Sequence, residues 1–175
     1  MGSHSVITDL SIWSRRGSIA LLIALSVVLQ MQLLAPATAS ARSVMTLIVG
    51  ERPGEYPTIQ SAIDAAIDGD SVLISSGTWQ ETIDLQGKSI TIAPLDGEVI
   101  LDAAARGTVI TCVNGEDADT IIEGLIIRGG LAERGAGLLT RNSTPVFRDC
   151  VFEANEAIED GAAWYGDGGG PTFMD

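Results

Sequence analysis

The feature that most constrains this chain is a segment written twice. Residues 135–149 read GAGLLTRNSTPVFRD and residues 161–175 read GAAWYGDGGGPTFMD. The offset of 26 (161 minus 135) keeps Gly135/Gly161, Ala136/Ala162, Pro145/Pro171, Phe147/Phe173 and Asp149/Asp175 identical without a gap. A period of this size marks a solenoid, in which each copy is one coil and its apolar face is buried only by the coils on either side. The second copy is cut off by the C-terminus, so the expected domain is incomplete at that end.

Residues 1–41 read as a targeting segment. Arg15 and Arg16 form a positive flank, Ile19 to Leu34 is apolar except for Ser26, Gln30 and Gln32, and Ala37-Thr38-Ala39 and Ala39-Ser40-Ala41 are small-x-small cleavage signals. This predicts a secretory signal peptide, and with it a secreted or cell-surface protein. An uncleaved anchor competes, because the apolar run approaches the ~20 residues that span a bilayer, but the alanine-rich stretch with Pro36 favours cleavage. Ser18 and Ala20 fit a twin-arginine signal poorly, so the ordinary export route is preferred.

Removing 1–41 takes away Arg15, Arg16 and Asp9, so 10 basic and 23 acidic residues become 8 and 22, and the net charge moves from -13 to -14. Lys88 is the only lysine. That balance argues against nucleic acid, heparin-like chains or an anionic membrane bound through a basic patch. Partners should be neutral, cationic or metal-bridged; the plainer reading is that the acids solvate turns and keep an exported protein soluble.

The rest of the chain is short β-branched runs separated by Gly, Asp and Asn. Strands are expected at 45–49, 71–75, 89–93, 98–101, 108–113, 120–128, 145–152 and 171–174. One segment breaks the pattern. Thr58 is placed to cap a helix, Ile59, Ala62, Ile63, Ala66 and Ile67 share one helical face, and Gly69 is placed to end it. Residues 58–68 are therefore expected to form an amphipathic helix that covers the exposed end of the first coil.

Tyr56-Pro57-Thr58-Ile59-Gln60-Ser61-Ala62-Ile63-Asp64-Ala65-Ala66, followed by Asp68-Gly69-Asp70-Ser71-Val72-Leu73-Ile74, Gly77-Thr78-Trp79-Gln80-Glu81 and Lys88-Ser89-Ile90-Thr91-Ile92, resembles the opening of right-handed parallel β-helix proteins of the pectate-lyase-like superfamily. Gly135-Ala136-Gly137 and the run from Ser143 to Phe152 resemble the tandem coils of large bacterial surface and exported β-helices. The resemblance implies an all-β fold, a right-handed parallel β-helix (solenoid) with an N-terminal amphipathic capping helix, over residues 42–175. It is weak for function, because this architecture hosts lyases, esterases, hydrolases and non-catalytic adhesins. Pectate lyases pair calcium-binding aspartates with an arginine base and pectin methylesterases use two aspartates and an arginine, but no such motif transfers here, and no catalytic residue is carried over.

Coil stacking sets rungs about 4.8 Å apart, so Phe147 should lie over Phe173, and Ile122, Leu125 and Ile127 under Phe147, Cys150 and Phe152. Gly129, Gly130, Gly135, Gly137, Gly166, Gly168, Gly169 and Gly170 are expected at tight corners. Cys112 and Cys150 lie in apolar strand contexts and read as small buried hydrophobes, with a disulfide between adjacent coils as the alternative. His4, the only histidine, leaves with the signal peptide, which removes the commonest general base and any His-activated nucleophile.

The residues leave catalysis open. Trp164 and Tyr165 are the carbohydrate-stacking candidates, although alternation on a strand would set one ring inward and one outward; Trp79 reads as packing at a strand start. Arg128, Arg134, Arg141 and Arg148 suit a carboxylated sugar or, more simply, neighbouring acids. Glu116, Asp117 and Asp119, and Glu153, Glu156, Glu159 and Asp160 in the loop expected between the repeats, read as solvated turn acids. No cofactor or metal is expected, Ca2+ being the one ion those clusters admit. Asn142-Ser143-Thr144 fits a glycosylation sequon but, with Pro145 after it, reads as a plain turn. Two functions follow. The first is an exported non-catalytic scaffold or adhesin-like protein that contacts polysaccharide and self-associates through its open C-terminal coil; the other is the N-terminal part of a polysaccharide lyase or pectinesterase-like enzyme.

Overall fold

The computed structural model describes residues 43–175, so the signal-peptide reading of 1–41 lies outside the described residues. The elements are β1 (Thr46–Val49), α1 (Ile59–Ala65), β2 (Ser71–Ile74), β3 (Gly77–Trp79), β4 (Ile83–Asp84), β5 (Thr91–Pro94), β6 (Val99–Asp102), β7 (Ile110–Cys112), β8 (Ile121–Glu123), β9 (Leu125–Arg128), β10 (Leu131–Arg134), β11 (Leu138–Arg141), β12 (Val146–Arg148), β13 (Val151–Glu153), β14 (Glu156–Asp160), β15 (Trp164–Asp167) and β16 (Thr172–Met174). They wind into a parallel β-solenoid of about five turns. Sheet A runs β1-β2-β5-β8-β12-β16, sheet B runs β3-β6-β9-β13, sheet C runs β4-β7-β11-β15, and β10 pairs with β14 in a side ribbon. Every ladder is parallel.

The expected columns are present. In sheet A the register stacks Leu47, Val72, Ile92, Ile122, Phe147 and Phe173. In sheet B it stacks Trp79, Leu101, Ile127 and Phe152, and in sheet C Ile83, Ile110, Leu138 and Trp164. These three inward columns run through the core, and most of their members are buried, each worth about 1.5–3 kcal/mol relative to exposure. All three columns end in aromatic rings at the C-terminal end. Phe147, Phe152 and Phe173 lie 5.8 Å apart pairwise between centroids, and Trp164 meets Phe173 at 6.2 Å.

Two stretches expected as single strands are each divided by a corner. Gly124 (φ 67) separates β8 from β9, and one turn on Asp149 (φ 48) separates β12 from β13. A single left-handed residue turns the chain from sheet A to sheet B, and aspartate tolerates that region better than most side chains. The glycine corners are half as expected: Gly129, Gly135, Gly168 and Gly169 take positive φ, whereas Gly130, Gly137, Gly166 and Gly170 do not. Gly130 is needed for space, since a Cβ there would sit 2.0 Å from the Ala136 carbonyl oxygen.

The helix is shorter than the expected 58–68. Thr58 is its N-cap, accepting from the Ser61 N–H, while the Ser61 hydroxyl oxygen accepts from the Thr58 N–H. It stops because the next rung of its ladder is already occupied. The Ile67 N–H donates to the Asp70 carboxylate at 3.0 Å, and Lys88 Nζ donates to the Ile63 carbonyl that a further turn would need. Ala66 is extended, and Ile67 is 37% exposed instead of sharing the buried face. From the following turn, Glu81 accepts from the N–H groups of Ile59 (2.8 Å) and Gln60 (3.1 Å), and Lys88 also reaches the Asp64 carbonyl (3.0 Å). An acid thus sits at the positive end of the helix and the only lysine at its negative end. The buried Ile59, Ala62 and Ile63 face β1, β2 and β4.

Candidate functional site

Outward-facing residues form columns as regular as the core. Along sheet C the register places Asp84, Thr111, Leu139 and Tyr165 in one row. Two hollows share this row. One, of about 360 Å³, is lined by Gln60, Thr82, Asp84, Arg106, Thr108 and Thr111, among others. The other, of about 540 Å³, is lined by Glu133, Arg134, Leu139, Arg141, Glu159, Tyr165 and Asp167. The ribbon supplies one wall of the second hollow: β10 brings Glu133 and Arg134, and β14 brings Glu159.

Tyr165 anchors the larger hollow. The Arg134 guanidinium lies 5.4 Å from its ring centroid, and Arg134 Nη2 is 2.5 Å from a Glu159 carboxylate oxygen. The bond to Glu159 and its charge, with Tyr165 beside them, hold Arg134 firmly protonated. Arg141 makes no ion pair among the described residues and stands in register with Asp167. The hollow therefore presents one aromatic ring, one leucine, two guanidinium groups and three carboxylates, a set that can face a sugar ring and exchange hydrogen bonds with its hydroxyls.

The structure separates the two stacking candidates. Trp164 follows Leu138 in the inward column, packs edge-on against Phe173, and donates from Nε1 to the Thr140 hydroxyl at 2.9 Å. Only Tyr165 faces the groove. Trp79 lies in the inward column of sheet B and donates to the Ser75 carbonyl at 3.0 Å.

Three of the four singled-out arginines are paired. Arg128 lies between Asp102 (3.0 Å) and Glu153 (3.9 Å), Arg134 meets Glu159, and Arg148 meets Glu123 at 3.9 Å. The acid clusters dissolve into separate tasks. Glu116 is buried and accepts from Gly87 N–H (2.8 Å), Asn114 N–H (3.0 Å) and the Ser143 hydroxyl (2.7 Å), stapling three successive turns. Asp117 accepts from Asp119 N–H and the Ser89 hydroxyl. Glu153 closes β13, and Glu156, Glu159 and Asp160 belong to strand β14, not to a loop. Among the described residues, no three acidic, His or Cys side chains converge to hold a metal. Asn142 is a turn residue at φ 51.

Both cysteines are free thiols. Cys112 is buried on sheet C, whereas Cys150 sits at the corner before β13 with its Sγ 3.6 Å from the Ile122 carbonyl. Burial, with the Glu116 and Asp84 charges nearby, pushes the Cys112 thiol well up, so it packs as a small hydrophobe.

Leu139, Asp167, Glu133, Asp84 and Thr111 were not legible as site residues from sequence. The signal existed in their spacing: 84 to 111, 111 to 139 and 139 to 165 are steps of 27, 28 and 26, one coil each. The class defined by fold and groove is a parallel β-solenoid with a polar, aromatic-anchored trough along one outer face. No family model, curated protein or solved structure matches the chain.

Proposed function

We propose that this protein is an exported, non-catalytic β-helix scaffold of the pectate-lyase-like kind, which contacts polysaccharide along the outer face of sheet C. The observation that carries the reading is the row Asp84–Thr111–Leu139–Tyr165, whose two hollows lie along the solenoid axis. A row that runs across the rungs suits an extended chain better than a compact ligand. Tyr165 supplies the stacking surface, Arg141 and Asp167 the hydrogen bonds, and the acidic surface disfavours polyanions unless a cation bridges them. The same scaffold reading includes self-association of copies through the end formed by β13, β15 and β16, where Trp164, Phe173 and Met174 are exposed.

Affinity electrophoresis against neutral glucans, xylan, pectin and alginate tests the groove. Wild type should be retarded by at least one neutral polymer, and Tyr165→Ala should weaken that binding about tenfold, equivalent to ~1.4 kcal/mol. Retardation that survives Tyr165→Ala unchanged removes the groove from the reading. Calcium-dependent release of unsaturated products from pectin or alginate would assign instead the N-terminal part of a lyase.

A further inference from the structure

The three sheets do not begin alike. At the N-terminal end of sheet A, Tyr56 lies parallel to Val49, accepting from the Gly50 N–H (2.9 Å) and donating its own N–H to the Ile48 carbonyl (2.8 Å). At that end of sheet C, Ile83 donates to the Val109 carbonyl and Leu85 to the Thr111 carbonyl, so the N–H and C=O of Asp84 face away from β7. The Gln60 side-chain amide meets both: Oε1 accepts the Asp84 N–H at 2.9 Å, and Nε2 donates to the Asp84 carbonyl at 3.2 Å. One glutamine thus stands in for a missing strand.

Among the described residues, sheet B has no such substitute. Its first strand, β3, pairs among the described residues only with β6. Gly77 donates to the Glu98 carbonyl at 2.9 Å, so parallel alternation turns the N–H and C=O of Thr78 away from β6. A hollow of about 520 Å³ reaches this edge, lined by Ser75 to Trp79, by Gly50, Glu51, Arg52 and Glu55 of the preceding turn, and by Asp96 of the following turn, whose carboxylate accepts the Ser76 N–H at 2.9 Å. Three carboxylates stand there against one guanidinium, and that guanidinium is engaged by Glu55 at 3.7 Å. Glu51 is exposed and makes no ion pair among the described residues.

We propose that this vacant strand position receives an extended peptide segment carrying a lysine or arginine, which adds to the edge of sheet B through the Thr78 backbone and sets its cation against Glu51. Addition to an open edge supplies main-chain hydrogen bonds, and the acidic wall selects the side chain. The site is independent of the groove on sheet C.

The probe is an acetylated and amidated hexapeptide of alternating valine and threonine with one central lysine, titrated calorimetrically into the full chain. Binding should saturate below about 1 mM, and Glu51→Gln should weaken it several-fold. Thr78→Pro should abolish it while leaving the urea midpoint nearly unchanged, because the N–H removed serves no ladder in the free protein. A peptide N-methylated at alternate residues gives the same answer without altering the protein, and should not bind. Absence of saturable binding, equal binding of a peptide with glutamate in place of lysine, or equal binding of the N-methylated peptide each overturns the proposal. So does a dimer of the chain that Thr78→Pro dissociates, which would give the edge to a second copy.

Discussion

The first and last described coils of the solenoid are held by different physics. At the N-terminal end, hydrogen bonds dominate: Gln60 pairs with Asp84, Glu81 and Lys88 hold the ends of α1, and Tyr56 covers the edge of β1. At the C-terminal end, three inward columns run into aromatic rings, and Phe173 is 50% exposed while Phe147, one rung below, is 1% exposed. Directional bonds close an edge completely but require particular partners. Apolar area is less particular, and the same ring is worth little or much according to whether a rung lies above it.

The largest test of that contrast replaces two phenylalanines from one column. Phe147→Ala should cost about 3–5 kcal/mol through lost burial and the cavity left beneath β16. Phe173→Ala should cost about 1 kcal/mol or less, because half its surface already meets water. Urea midpoints measure both, and equal losses would mean that the end is as well packed as the body. Phe173→Arg sharpens the comparison further: if copies meet through this end, sedimentation should shift toward monomer relative to wild type.

An intermediate effect is expected at the other end. Gln60→Leu preserves bulk but strands the half-buried Asp84 N–H and C=O, and losing a hydrogen bond at such a site costs about 0.5–1.5 kcal/mol. Thermal unfolding should show a loss in that range. A loss as small as that of an exposed substitution would show that water replaces the amide, and the edge of sheet C would then be no better closed than that of sheet B.

The parts of this fold visible in sequence were those whose signal is apolar and local. Leu125-Ile126-Ile127 and Thr91-Ile92 announce themselves, as does the Phe147/Phe173 column once the repeat is noticed. Six strands escaped because their side chains say little: β3 is Gly-Thr-Trp, β4 has two residues, and β14 reads EAIED, which looks like an acidic loop. β14 is a strand because β10 lies beside it, with Leu131 opposite Glu156 and Ala132 opposite Ala157, and propensity alone cannot report a partner 25 residues away. The groove was half visible for the same reason. Aromaticity marked Tyr165, but the ribbon that walls it was not foreseen. Gln60 lay in plain view, yet its role depends on a strand that is absent, and an absence leaves no mark in local composition.

The smallest effect belongs to the body between the ends, where charge rather than area or backbone bonding is at stake. Asp102, Arg128 and Glu153 occupy consecutive rungs of sheet B in one outward row. The Ala104 N–H at 2.8 Å, joined by Arg128, holds the Asp102 carboxyl below its ordinary value of 3.8. A lowered carboxylate pKa contributes stability that is present above the unfolded value and is lost as pH falls through the folded one. Arg128→Gln should therefore cost less than about 1 kcal/mol at neutral pH, as partly exposed pairs do. Compared with wild type in urea titrations from neutrality downward, that difference should hold steady to about pH 4 and shrink below it. A gap that widens on acidification would mean that Arg128 acts through its packing over the row and not through its charge.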